Sequence, residues 1–161
     1  RTGRIINILY LVLKELLDVP ILYLSKYIIK NKLEYYKLFQ ETRKTNDYEK
    51  WIIYILKGIE ITSLSTIKII NSISKEMLIV KQELREKTKI YSKELLELLF
   101  FDFYTKIPYI QEELCISDKT AQKYLDILVD LNIMSSEKVG RERIYKNDRL
   151  FNIVKNFELL D

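Results

Sequence analysis

The 161-residue chain has no histidine, one cysteine, two prolines and three glycines. Without histidine, this polypeptide holds no Ser-His or Cys-His couple, no imidazole base and no His-ligated metal. One cysteine excludes an internal disulfide framework and a cysteine-cluster zinc site. Tight turns draw on Gly and Pro, so their scarcity argues against a strand-and-turn-rich fold. Long apolar runs are lacking as well: residues 8–13 and 51–56 are the longest and are short. A bilayer span takes about 20 residues. The sequence therefore predicts no membrane segment and no signal peptide, and the lone thiol suits a reducing cytoplasm.

What is present is a large apolar fraction, 48%, with 31% charged residues and a net charge of +4. That is enough to build a core, in one ordinary domain or two small ones. The weak positive charge is compatible with nucleic acid or acidic partners without requiring them. The chain begins with arginine rather than methionine, and the expectation is that it has been cut or begins inside a longer gene product.

Hydrophobic spacing predicts a mainly α chain. Residues 2–17 read as a helix apolar nearly all round, which predicts a buried one. Residues 25–29 form a short helix after Pro20, and residues 33–43 another, with Leu33, Tyr36 and Leu38 or Phe39 inward. Asn46 or Asp47 can cap a long helix over residues 48–87. Its apolar stripe runs through Leu56, Ile59, Ile67, Ile70, Ile73, Met77, Val80 and Leu84, mainly as core and alternatively as a homodimer seam. Gly58 and the Ser/Thr cluster at residues 62–66 allow a kink or close helix packing. Trp51 is a core anchor.

A junction at Lys87-Thr88-Lys89 divides a first domain, residues 1–87, from a second, residues 90–161. The second reads as helices over 92–104, 108–115 and 119–131, a hairpin turning at Gly140, and a last helix over 150–157. That order is a winged helix-turn-helix arrangement, α with a β-hairpin. Ala121 lets the two central helices cross closely, and Leu125 and Leu128 fill the buried face. Lys119, Thr120, Gln122 and Lys123 then face outward, where Thr and Gln can read base edges and Lys can reach phosphates. Arg141 and Arg143 stand on the wing, within reach of a backbone or minor groove. Charge argues for restraint. Residues 105–161 carry nine Lys and Arg against ten Asp and Glu, while residues 1–104 carry 18 against 13. Phosphate contacts supply much of DNA affinity, so a protein partner is favoured over DNA. Cys115, in the turn, reads as a small buried residue.

The first residues carry a different chemistry. Arg1-Thr2-Gly3-Arg4 opens a helix, where free backbone N–H groups attract anions and two arginines can add contacts to phosphate oxygens; on the residues alone, two solvated arginines at a frayed terminus are the alternative. Arg1-Thr2-Gly3-Arg4-Ile5-Ile6-Asn7 resembles the end of the Fic-family signature, H-x-F-x-(D/E)-G-N-G-R-x-x-R. Pro20-Ile21-Leu22-Tyr23-Leu24-Ser25-Lys26-Tyr27-Ile28 is similar to the family's "LYLS-x-YI" segment. Asn31, Tyr35-Tyr36, Leu38 or Phe39, Arg43, Trp51 and Leu56 follow in order. The resemblance is close over residues 1–60 and loose to about 85.

This resemblance implies the C-terminal part of a helical protein adenylyltransferase, which moves AMP from ATP to a hydroxyl on a target protein with Mg²⁺. It implies that Arg1, Thr2, Gly3 and Arg4 hold nucleotide phosphates and that Tyr35 and Tyr36 line the base. The motif histidine, phenylalanine, acid and G-N-G are absent from this chain. The expectations are ATP and magnesium for the parent protein, none for these residues alone, and no AMP transfer by them. A rival reading is a winged-helix transcriptional regulator whose helical half oligomerises.

Overall fold

A computed structural model describes residues 2–140 and 142–159. The described chain is mainly helical, with one small antiparallel sheet. In order come α1 (Thr2–Leu13), α2 (Leu24–Lys30), α3 (Lys32–Thr45), α4 (Glu49–Lys87) and α5 (Lys93–Phe101). Then follow β1 (Tyr104–Thr105), α6 (Ile107–Leu114), α7 (Asp118–Asp130), β2 (Met134–Val139), β3 (Glu142–Asn147) and α8 (Asp148–Lys155). Two compact units form: Arg1–Lys68 with Glu158–Asp161, and Ile69–Phe157. α4 contributes to both. No helix among the described residues is long and apolar enough to cross a membrane.

The first unit packs around Leu24, Tyr27, Ile28, Tyr54 and Leu159. Asn31 ends α2, its side-chain amide donating to the Tyr27 carbonyl at 3.0 Å. Asn46 closes α3 in the left-handed conformation, φ 57°, which Asn tolerates better than most residues. Asp47 then accepts from the Glu49 N–H at 3.0 Å and starts α4.

Several expectations fail here for identifiable reasons. α1 ends at Leu13, not near residue 17, because the chain turns through Glu15 at φ 56°. It is not buried: Ile5, Ile6, Leu9 and Leu13 are exposed, and Ile8 is its side chain packed on the core. An all-round apolar helix needs cover on several sides, and the described residues supply one. In α3 the inward positions are Tyr35 and Leu38, while Leu33 is 88% exposed and Tyr36 and Phe39 also face solvent. Tyr35 is drawn inward by Trp51 and Tyr54, with ring centroids 5.0 and 6.1 Å away.

α4 shows the sharpest departure. Leu56, Ile67 and Ile70 are exposed, and the buried line of the first unit is Tyr54, Gly58, Thr62 and Ser65. A Cβ at Gly58 would lie 2.6 Å from the Tyr27 ring and 3.0 Å from Leu24. α2 therefore crosses α4 at a position only glycine fills without repacking. The hydroxyls return to their own helix: Thr62 donates to the Gly58 carbonyl at 2.6 Å and Ser65 to Ile61 at 2.7 Å. A buried hydroxyl satisfied this way costs little, so small polar residues serve as a packing face.

The second unit holds the larger core, with Val80, Leu84, Leu95, Leu99, Ile110, Ala121, Leu125, Leu128, Ile133 and Tyr145 buried. Ser92 caps α5 by accepting from the Leu95 N–H at 3.0 Å. Ser117 caps α7 by accepting from Thr120 at 3.2 Å. The sheet order is β1-β3-β2, with Tyr104 paired to Lys146 and Glu137 to Ile144. Gly140 turns the hairpin at φ +63°, which suits glycine. The wholly buried Asn147 ties the unit together. It donates to the Leu99 carbonyl at 2.8 Å and accepts from the Leu150 N–H at 3.0 Å, capping α8. Arg149 joins α8 to α4 through Glu83 at 2.8 Å and Glu76 at 3.2 Å. It also reaches the Asn132 carbonyl at 3.3 Å. Burial opposes the guanidinium charge, yet the hydrogen bonds it donates to Glu83 and Glu76 outweigh that and raise the Arg149 pKa.

Cys115 is exposed rather than buried. It ends α6 at φ 51°, where a glycine would be unstrained, and this turn projects the thiol to solvent.

Candidate functional site

Arg1 lies outside the described residues, and so do the side chains of Thr2 and Arg4. Gly3 sits in the first turn of α1, exposed, with open space around the position of a Cβ. Tyr35 and Tyr36 meet edge to face at 5.4 Å on α3. Tyr35 belongs to an aromatic group with Trp51 and Tyr54, while Tyr36 is surface-exposed. Within that group burial, followed by the charges of Tyr27, Glu34 and Tyr35, pushes the Tyr54 phenol up to about 12. Beside it, Phe39, Thr42, Arg43, Asn46, Tyr48 and Trp51 line a hollow of about 370 Å³.

In the second unit, α7 presents Lys119, Gln122 and Lys123 to solvent. Thr120 is half-buried, its hydroxyl 2.9 Å from that of Ser117, so it serves the helix cap. Arg141 lies outside the described residues. Arg143 reaches from β3 to Asp126 on α7 at 3.8 Å and lies over the Tyr145 ring at 6.0 Å. The fold thus brings Lys119, Gln122 and Lys123 of one helix onto a surface that the Arg143–Asp126 pair extends to the hairpin. An acid stands in the middle of it.

The other side of the sheet was not anticipated. Side chains alternate across a strand, so Ile144 and Lys146 face away from Arg143 and Tyr145. With Tyr104, Tyr109 and Ser135 they bound a hollow of about 640 Å³. Lys146 donates to Asp148 at 2.9 Å and stands over the Phe151 ring at 4.2 Å. Its hydrogen bond to Asp148 raises its pKa. Burial works against the Asp148 carboxylate, but hydrogen bonds from Ser135 and Lys146 prevail and lower its pKa. The even-numbered positions of residues 142–146 were the signal for this face. What the sequence hid was β1, too short to carry any pattern.

Residues 74–150 match the family model described as protein adenylyltransferase SoFic-like, C-terminal domain. The match links that segment, from the later part of α4 to the first turn of α8, to Fic-related protein adenylyltransferases. It stops short of residues 1–73, where the resemblance to the Fic signature lies. The SoFic-like segment contains the whole of α7, the hairpin and the Glu76–Arg149–Glu83 link. Among the described residues no group of three His, Cys, Asp or Glu side chains is placed to hold a metal ion.

Proposed function

We propose that the chain is a C-terminal part of a Fic-family protein adenylyltransferase, with residues 1–87 belonging to the AMP-transfer domain and residues 90–161 forming a winged-helix recognition module. The observation that carries the reading is the SoFic-like match over residues 74–150. Support comes from the ordered signature elements upstream of it and from the uncovered apolar surface of α1. In this account Arg1 and Arg4 contribute to an ATP phosphate cradle at the head of α1. There the helix N-terminus favours negative charge. The proton-accepting base and the metal ligand are supplied from outside these 161 residues, which hold no histidine. Loss of a general base alone costs about 10²–10⁴-fold, so the 161 residues transfer no AMP by themselves.

A transfer assay with ATP labelled at the α-phosphate tests this. The chain alone should label nothing. The chain fused behind a segment carrying H-x-F-x-(D/E)-G-N-G should label a protein hydroxyl, and Arg4→Ala should remove that label. Label on a target from the isolated chain, or none from the fusion, would overturn the assignment.

The recognition module serves a protein partner in preference to DNA. Lys119 and Lys123 are the cations of the exposed α7 face, and Asp126 already holds Arg143 beside them. Phosphate binding needs clustered, available positive charge. A salt-dependent shift of duplex DNA that Lys119→Ala with Lys123→Ala abolishes would favour the rival regulator reading.

A further inference from the structure

The exposed apolar side chains of the second unit are not scattered. Outside α4 they are Phe101, Tyr104, Tyr109 and Val139, and all four line two adjoining hollows. One is the 640 Å³ hollow on the outer face of the sheet. The other, about 400 Å³, lies between α5 and α6, with Leu98, Phe101 and Leu114 in its floor. Tyr109 borders both. Phe101 is 79% exposed. A concentrated apolar patch with a charged rim marks an interaction surface rather than ordinary surface noise.

The rim has one dominant sign. Glu94, Glu97 and Glu113 surround the α5–α6 hollow, and Glu137 stands at the sheet. The cations nearby are already matched. Lys93 pairs with Glu97 at 3.5 Å, Lys146 with Asp148 at 2.9 Å, and Lys106 with Glu142. Carboxylates remain in excess, so phosphate-bearing ligands are repelled and cationic ones attracted.

We infer that this surface docks a basic polypeptide segment of a partner protein, one presenting an aromatic or aliphatic side chain between lysines or arginines. The apolar side chain enters beside Phe101 and Tyr109, and the flanking cations meet Glu94 and Glu113. The site is distinct from the outward face of α7, and it does not rest on the adenylyltransferase reading.

The test uses the full chain and two fluorescein-labelled 14-residue helical peptides, one of leucine and lysine, the other with glutamate in place of lysine. The lysine peptide should bind, and more weakly as salt rises; the glutamate peptide should not. Phe101→Ala and Tyr109→Ala should each weaken binding about tenfold or more, as central aromatic anchors do. Both side chains are exposed, so thermal melts should be unchanged. Glu94→Gln with Glu113→Gln should flatten the salt dependence. Leu33→Ser, an exposed apolar residue of the first unit, should leave binding intact. Failure of the lysine peptide to bind, equal binding of both peptides, or unchanged binding to Phe101→Ala and Tyr109→Ala would each overturn the assignment. So would loss of binding on Leu33→Ser.

Discussion

The two units solve the same packing problem with opposite success. Among the described residues, Ile69–Phe157 buries a continuous set of side chains from α4, α5, α6, α7 and the sheet. The first unit buries a handful and leaves Ile5, Leu9, Leu13, Leu33 and Ile53 among many in solvent. Their sequences are similarly apolar, so composition does not separate them. The difference lies in how many elements converge. In the second unit four helices and a sheet enclose one volume. In the first, among the described residues, α1, α2, α3 and part of α4 form a surface without a covering layer. Burial is worth about 25 cal/mol per Å² of apolar surface. The first unit therefore leaves much of its potential stabilisation unrealised, as one side of a shared core would.

That contrast can be broken by substitution. The largest effect belongs to Leu125→Ala in the second unit, which should cost about 3 kcal/mol through lost transfer energy and a residual cavity. Denaturant unfolding measures it. Arg149→Ala should come next, at about 2 kcal/mol, because it leaves Glu76 and Glu83 without their shared cation in a half-buried site. In the first unit Gly58→Ala sets two effects against each other. Alanine favours the helix by up to about 1 kcal/mol, but its Cβ must displace the Tyr27 ring. Overpacking typically costs about 1–3 kcal/mol, so the net should be a loss of about 1 kcal/mol, read as a lower melting temperature. Leu33→Ser should stay within about 0.5 kcal/mol. If Leu33→Ser proved as costly as Leu125→Ala, the contrast between units would fail.

A pH titration sharpens the comparison further. Tyr54 is held protonated by burial, with its phenol at about 12 against an ordinary 10.0. A group with a raised native pKa supports the fold fully below its unfolded value. Its support is lost as pH climbs through the native one. Ultraviolet titration should therefore show a late tyrosine component toward 12. Stability of the first unit should fall across that interval. Tyr54→Phe should remove both the late component and its share of the fall.

Much of the second unit was readable in its sequence. Ser92 and Ser117 announce helix starts, Ala121, Leu125 and Leu128 mark one helical face, and Gly140 marks the turn. These are local signals, and the structure keeps them. The first unit misleads because its helices are apolar on several faces, so periodicity does not say which one turns inward. In α3 aromatic packing chose Tyr35 over Leu33. In α4 a close crossing chose Gly58, Thr62 and Ser65 over Leu56 and Ile67. Hydropathy alone ranks those small residues as outward-facing; their size, which allows close helix packing, was the signal for the crossing at Gly58. Of the candidate site, the α7 residues and Arg143 were placed on one surface by element order alone. The hollow on the far side of the sheet needed β1, whose two residues pair with β3 from more than 35 positions away in sequence.

Amide hydrogen exchange along α1 tests the central claim most directly. Exchange reports local opening, which is easy where few apolar contacts hold a segment. In the 161-residue chain, α1 should exchange rapidly while α7 and β3 are strongly protected. Fusion behind a segment carrying H-x-F-x-(D/E)-G-N-G should slow α1 by orders of magnitude and leave α7 unchanged. Strong protection of α1 in the isolated chain, or none gained on fusion, would contradict the account of the first unit as one side of a shared core.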